Sequence, residues 1–154
     1  MYGLLPLLCA AACSNGDDGA APAGAQENRP VAAASMPRSA SADGATLHFV
    51  TPQNGAVVSS PFSVEFLIEG MEVVRAGENA PNTGHHHLLI DTAMPGLDAP
   101  VPADENHVHF GDASTATVLE LEAGEHSLQL LFADYLHIPH DPPVYSERIR
   151  IVVK

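Results

Sequence analysis

Seven short stretches of the chain have the residue pattern of β-strands. Successive side chains of a strand point to opposite faces, so alternation of apolar and polar residues predicts one buried face. The clearest case is 61–68, in which Phe62, Val64, Phe66 and Ile68 would share that face. The seven stretches are 47–50, 61–68, 84–91, 107–110, 117–122, 125–132 and 148–153.

Turn-forming residues separate these stretches. Ala123-Gly124, between 117–122 and 125–132, predicts a hairpin, and three prolines within 139–143 predict an irregular loop. No stretch places apolar residues at helical spacing. The pattern therefore predicts an all-β fold over residues 45–154, an immunoglobulin-like antiparallel β-sandwich of about seven strands.

The chain begins with a short apolar segment, residues 1–13, that ends in Ala10-Ala11-Ala12-Cys13. It is shorter than the roughly 20 apolar residues that cross a bilayer, and it is typical of a secretory signal peptide. The final run resembles a bacterial lipobox, which implies a lipoprotein with Cys13 as the lipidated residue. Ser14, where inner-membrane lipoproteins carry aspartate, implies an outer-membrane lipoprotein that faces the periplasm. No Lys or Arg precedes the apolar run, however, and a buried N-terminal strand is the alternative.

Residues 14–44 have a different composition, rich in Ala, Gly, Pro and Ser and poor in large apolar residues. Such a segment buries too little surface to offset the entropy lost on ordering. We expect it to be a disordered, flexible tether that holds the folded domain off a membrane.

Charge excludes one class of function and favours another. The formal net charge is −13, with 6 Lys and Arg against 19 Asp and Glu. Because no basic surface is available to neutralise phosphates, we expect no nucleic-acid partner. An acidic protein of this kind attracts cations.

Histidines are concentrated in the predicted domain, where eight of the nine fall between positions 85 and 140. Strand alternation places His85 and His87 on one face and, on another strand, His107 and His109 on one face. Two such pairs could converge on one ion. The predicted metal site consists of these four residues, with two further histidines as candidates at its edge, His137 and His140.

The ligand type indicates which metals fit. Neutral imidazole suits copper, zinc and nickel, and copper binds most tightly to nitrogen ligands, with zinc close behind. The predicted domain has no cysteine, which removes thiolate sites. Four carboxylates could bind the ion themselves or orient the imidazole rings by hydrogen bonds. These are Asp91, Asp104, Glu105 and Asp141.

Other interpretations of the histidines stay open. His86 and His126 each share a face with apolar residues of their own strand and are predicted to be core residues. The His-X-His pairs could likewise form a structural hydrogen-bond network in a non-catalytic envelope module that binds a protein or a glycan. An enzyme is the weakest hypothesis: 107–112 resembles a copper-ligand segment of copper-zinc superoxide dismutases, but the disulfide of those enzymes has no counterpart here.

Four motifs carry a longer resemblance. They are Gly84-His85-His86-His87-Leu88-Leu89-Ile90-Asp91, the stretch 103–111 around His107-Val108-His109, Gly124-Glu125-His126-Ser127-Leu128-Gln129-Leu130, and Pro139-His140-Asp141-Pro142-Pro143-Val144. Together they resemble a bacterial family catalogued as domain of unknown function 4399, over roughly residues 46–154. The resemblance implies an envelope-located β-domain and brings no assigned activity. We therefore expect a metal-binding protein for copper or zinc storage, delivery or tolerance on the strength of the residues alone.

Overall fold

The computed structural model describes Gly3 and residues 36–154. The predicted signal segment, Cys13 and the tether up to residue 35 lie outside the described residues, apart from Gly3. In the described part of the chain, no helix is long and apolar enough to cross a membrane.

Ten strands build two sheets within residues 36–154. The smaller sheet has the order β1-β3-β7, and the larger has the order β2-β10-β8-β5-β4, with β6 paired to β5 and β9 paired to β8. The strands are β1 (Thr46–Thr51), β2 (Val57–Val58), β3 (Phe62–Glu69), β4 (Glu72–Val73), β5 (Thr83–Ile90), β6 (His107–His109), β7 (Ala116–Leu119), β8 (Gly124–Ala133), β9 (Pro139–Tyr145) and β10 (Ile149–Val153). All seven predicted strands are present, and the all-β sandwich is confirmed; β2, β4 and β9 are additional.

The apolar core lies between the two sheets. On β3, buried and exposed residues alternate without exception, and Phe62, Val64, Phe66 and Ile68 form the buried face as predicted. They pack with Leu88, Leu128, Phe132 and other apolar residues of the larger sheet in one continuous cluster. Full burial of an aliphatic or aromatic side chain of this size contributes about 1.5–3 kcal/mol, so this cluster is the main source of stability.

Two predictions about connections are wrong. β7 and β8 do not form a hairpin, because β7 pairs with β3 and β8 pairs with β5 and β10 in the other sheet. The proline-rich stretch is not an irregular loop but the strand β9, which pairs with β8. Among the named strands β9 has β8 as its only partner, and prolines are tolerated in such a strand because fewer of its amides are needed for pairing.

Part of the stretch predicted as a tether contacts the sandwich. Ser41 N donates to Asp141 O over 3.2 Å, and Asp141 N donates to Ser39 O over 2.9 Å. These bonds lay residues 38–41 along β9. The described polypeptide therefore adds a short segment to the edge of the larger sheet before β1 begins.

Strand β5, which lies between β8 and β4 in the larger sheet, is buried over its whole length. Its inner face turns His86, Leu88 and Ile90 toward the core between the sheets. On its outer face Leu89 packs with Val101, Leu131 and Ala133, so loops cover this side as well. Histidines on the outer face of β5 are thus held in a shielded position on a rigid strand.

Candidate metal centre

Four imidazole rings meet on the outer face of the larger sheet. His85 and His87 belong to β5, His109 to β6, and His137 to the connection between β8 and β9. All six distances between their ring centroids lie between 4.8 and 5.9 Å. We call these four residues the histidine cluster.

Strand pairing explains why three of the rings converge. β6 runs antiparallel to β5 with His109 directly opposite His87, so that both side chains project from the same face. On the other side of β5, Leu131 and Ala133 of β8 lie opposite His87 and His85. These two apolar side chains of β8 offer no hydrogen-bond donors to the neighbouring imidazole rings.

The fourth ring comes from a tight turn at residues 134–138. His137 has φ 66°, in the left-handed region, which histidine adopts more readily than most residues. Its N–H donates to Asp134 O over 2.9 Å, and its carbonyl accepts from Val101 N over 2.8 Å. These bonds fix the turn and direct His137 toward the cluster.

Ring nitrogens of the buried pair lack ordinary partners. His85 and His87 are almost completely buried, and their Nε2 atoms lie 3.1 Å apart. Neither Nδ1 has a hydrogen-bonding partner among the described residues. Leaving a buried polar atom unpaired costs about 1–3 kcal/mol, so the surrounding fold holds these two rings in place at a cost in stability.

Burial favours the neutral form of His85 and His87. Desolvation is the main cause that lowers the pKa of His85 to about 3 and that of His87 to about 2, and the neighbouring imidazoles lower both further. The pKa of His109 is also lowered, by burial first and by His137 second. Unprotonated imidazole is the form that binds metals.

Distances in the cluster suit one ion. Two nitrogens 3.1 Å apart, each about 2.0–2.1 Å from an ion, subtend an angle of roughly 95–102°, between square-planar and tetrahedral values. Potential ligand atoms of His85, His109 and His137 all lie within 4.8 Å of one another. Two ligands of a tetrahedral ion lie about 3.3 Å apart, so these three rings would have to move closer together to hold an ion. His87 would join them through its 3.1 Å approach to His85.

Two predicted ligands have other partners. His107 shares a face with His109, as predicted, but it lies opposite Leu89, and its Nδ1 is 2.7 Å from Asp104 Oδ1. The His140 ring is buried and stacks on Phe132, with Nε2 3.1 Å from Thr83 O. The structure thus brings together three of the four predicted ligands and completes the group with His137 rather than His107.

The predicted supporting carboxylates form hydrogen bonds away from the cluster. Asp91 accepts from His126 and Ser127, and Asp104 accepts from His107 and Asn106. Asp141 pairs with Arg38 at the surface, and Glu105 is exposed. Sequence analysis missed Asp134, which directly precedes the turn; the available signal was an aspartate at the end of a strand, a preferred turn residue.

The two predicted core histidines differ. His86 is fully buried between the rings of Phe66 and Phe132, at centroid distances of 4.7 and 5.0 Å, which confirms the prediction. His126 is not a core residue: its Nδ1 lies 2.6 Å from Asp91 Oδ2, and that hydrogen bond raises the pKa of His126. His126 lies near the start of β8, where the residues of the strand are still exposed or partly exposed to solvent. Strand alternation alone therefore does not bury it.

Comparison with known proteins supports the motif resemblance. A family model described as domain of unknown function (DUF4399) matches residues 64–154. This region contains the entire histidine cluster. No curated protein and no solved structure matches the chain.

Proposed function

The chain belongs to the domain of unknown function family DUF4399, and we propose that it binds a transition metal ion, copper or zinc, through its histidine cluster. His85, His87, His109 and His137 are the proposed ligands. The observation that carries the proposal is the convergence of four imidazoles, two of them buried with their Nε2 atoms 3.1 Å apart.

Other histidines of the domain provide an internal comparison. His107 and His126 each bond a carboxylate, and His140 bonds a backbone carbonyl. A structural hydrogen-bond network has this form, in which each ring meets an acceptor. Rings of the cluster instead lie against one another, with Nε2 of His85 and Nε2 of His87 3.1 Å apart, and this grouping of imidazoles favours a metal site over a network.

Ligand chemistry favours copper, then zinc. An all-imidazole site binds both ions, and the order of affinity for divalent metals places copper above zinc. The chain's net charge of −13 raises the local concentration of cations at its surface. His109 is exposed and His137 is partly exposed, so an ion could enter or leave through that side of the cluster.

The broader role follows from the proposed location. We infer from the lipobox-like run ending in Cys13 that the protein is a lipoprotein of the bacterial cell envelope, anchored in the outer membrane and facing the periplasm. An accessible metal site in that position would serve storage, delivery or tolerance rather than catalysis. The exposure of His109 and His137 would allow another molecule to replace them as ligands of the ion, which favours delivery in particular.

Metal uptake by the full chain, purified without a polyhistidine tag, tests the proposal. Calorimetric titration with Cu²⁺ and with Zn²⁺, and elemental analysis of the dialysed protein, should show one ion per chain with a dissociation constant below micromolar. His109→Ala should weaken binding at least about tenfold through the loss of one ligand. Two matched histidine variants, His107→Ala and the exposed His48→Ala, should retain it.

Two outcomes would contradict this assignment. If neither ion binds with a dissociation constant below micromolar, the histidines are structural and the proposed function fails. If His107→Ala abolishes uptake while His109→Ala does not, the ion lies elsewhere, near Asp104 rather than at the cluster.

A further inference from the structure

The side chain that controls the turn bearing His137 is Asp134. Its Oδ1 accepts from Leu136 N over 2.9 Å and from Ile138 N over 3.1 Å, on the two sides of His137. The residue is only 2% exposed. One carboxylate oxygen therefore accepts hydrogen bonds from the residues before and after His137, whose own backbone is in the left-handed region.

The second oxygen of the same carboxylate reaches the segment 38–41. Ser39 Oγ donates to Asp134 Oδ2 over 2.6 Å. Next to it, Arg38 Nε donates to Pro139 O over 2.9 Å, and its guanidinium also donates to His140 O. Asp134 thus connects the turn to the polypeptide that precedes the sandwich.

Charge gives Asp134 a second connection to the cluster. All of its hydrogen-bond donors are neutral, and within the described residues no ion pair involves its carboxylate. Buried carboxylates are normally paired with a cation or a metal. Asp134 is close enough to act electrostatically on His85, so an ion bound by the cluster would supply the opposite charge.

We propose that Asp134 is the positioning residue of the metal centre: it holds His137 in the ligand set, balances the charge of the ion, and couples metal occupancy to the docking of segment 38–41. This inference rests on the proposed function. Coupling of this kind is reciprocal, so an ion that stabilises the turn also stabilises the docked segment, and loss of the segment weakens the ion.

Copper-binding spectra separate the two roles of Asp134. In Asp134→Ala, Cu²⁺ affinity should fall about 10- to 100-fold, as for other residues that orient a ligand, and electron paramagnetic resonance should show one coordinated nitrogen fewer. Asp134→Asn keeps an oxygen acceptor for Leu136 and Ile138 but removes the charge. It should retain the wild-type spectrum with a reduced affinity.

Trypsin cleavage tests the coupling to the segment. Wild-type chain should be cut after Arg38 more slowly with Zn²⁺ bound than without it, while cleavage after the exposed Arg75 proceeds at the same rate and controls for any effect of zinc on the protease. Ser39→Ala removes the hydrogen bond to Asp134, so the zinc-dependent protection at Arg38 should disappear. This variant alters no proposed ligand and leaves the sandwich core intact.

The outcomes distinguish this inference from the proposed function. If wild-type chain binds neither ion, both fail. If it binds copper and Asp134→Ala keeps the wild-type affinity and spectrum, Asp134 is not a positioning residue and the proposed function stands. If Asp134→Ala does not fold, Asp134→Asn and Ser39→Ala decide: wild-type affinity in the first, or undiminished zinc protection in the second, overturns the inference.

Discussion

At the scale of single residues, adjacent histidines on β5 have opposite environments. His85 and His87 belong to the histidine cluster on the outer face of the sheet, while the ring of His86 lies in the core between Phe66 and Phe132. Neither ring nitrogen of His86 has a hydrogen-bonding partner in the part of the chain that the structure describes, and burial lowers its pKa to about 4. A neutral imidazole in an apolar core contributes packing at the cost of two unsatisfied polar atoms.

Substitution His86→Leu should therefore stabilise the fold. An apolar side chain of similar volume removes the desolvation cost of the ring, and we expect the free energy of unfolding to rise by about 1–3 kcal/mol. Urea denaturation at pH 7 measures the change, with the exposed His48→Leu as a control that should shift stability little. A destabilised His86→Leu with unaltered metal content would show that the imidazole makes a favourable contact in the core.

At the scale of elements, residue patterns defined the strands and their faces, whereas tertiary packing decided the partners. Alternation predicted β3 and its buried side chains closely, because one face of the strand must be apolar. The same alternation could not show that β7 and β8 lie in different sheets, because pairing depends on contacts distant in sequence.

The candidate site shows the same division. Spacing alone grouped His85 with His87 and His107 with His109, and both groupings are correct as faces. Which member of the second pair approaches β5's histidines depends on the register, which sets His109 opposite His87 and His107 opposite Leu89. The position of His137 in the histidine cluster depends on the geometry of the turn at residues 134–138, which the sequence pattern does not specify.

Gly111 offers a test of the geometry at the end of β6. A β-carbon on this residue would lie 2.4 Å from Cε1 of His109, so the glycine leaves the space that the ring occupies. Gly111→Ala should displace His109 and weaken Cu²⁺ binding about tenfold, with the other three ligands intact. Calorimetry measures the change, and Gly96→Ala, where an added β-carbon meets nothing within 4 Å, is the matched control. Equal affinity in the two variants would contradict the placement of His109.

The buried histidines of β5 also make the metal-free fold sensitive to acid. Folding lowers the pKa of His85, His86 and His87 to about 3, 4 and 2, from the ordinary histidine value of 6.5. Between these values and 6.5 the unfolded chain binds more protons, so the free energy of unfolding falls as the pH drops below 6.5. The expected slope approaches about 1.4 kcal/mol per pH unit for each histidine.

Urea denaturation of the metal-free chain at pH 7 and pH 5.5 measures this slope. His126 acts in the opposite direction, since its raised pKa favours the folded state in acid, but it is one residue against three. His86→Leu should reduce the slope by the share of one histidine. Stability that does not change between the two pH values would contradict the burial of these rings in the neutral form.

At the scale of the whole molecule, the proposed metal site adjoins the polypeptide that leads to the proposed anchor. Residues 38–41 lie along β9, and Ser39 bonds Asp134 beside the turn that carries His137. A cell-envelope protein built in this way would link its attachment and its metal occupancy through one hydrogen-bonded carboxylate. The compact sandwich supplies the rigid strands from which His85, His87 and His109 project.

The anchor itself is tested by Cys13→Ala. If Ala10-Ala11-Ala12-Cys13 is a lipobox, thioether-linked lipid on Cys13 attaches the protein to the membrane, since stable anchoring requires more than one acyl chain and a lipoprotein cysteine carries several. The variant should therefore move from the membrane fraction to the soluble periplasmic fraction after cell lysis and centrifugation. His109→Ala, which alters the proposed metal site alone, should stay in the membrane fraction and serves as the control. An unchanged distribution of Cys13→Ala between the two fractions would rule out a lipid anchor at this cysteine and would leave the metal site without a fixed position at the membrane.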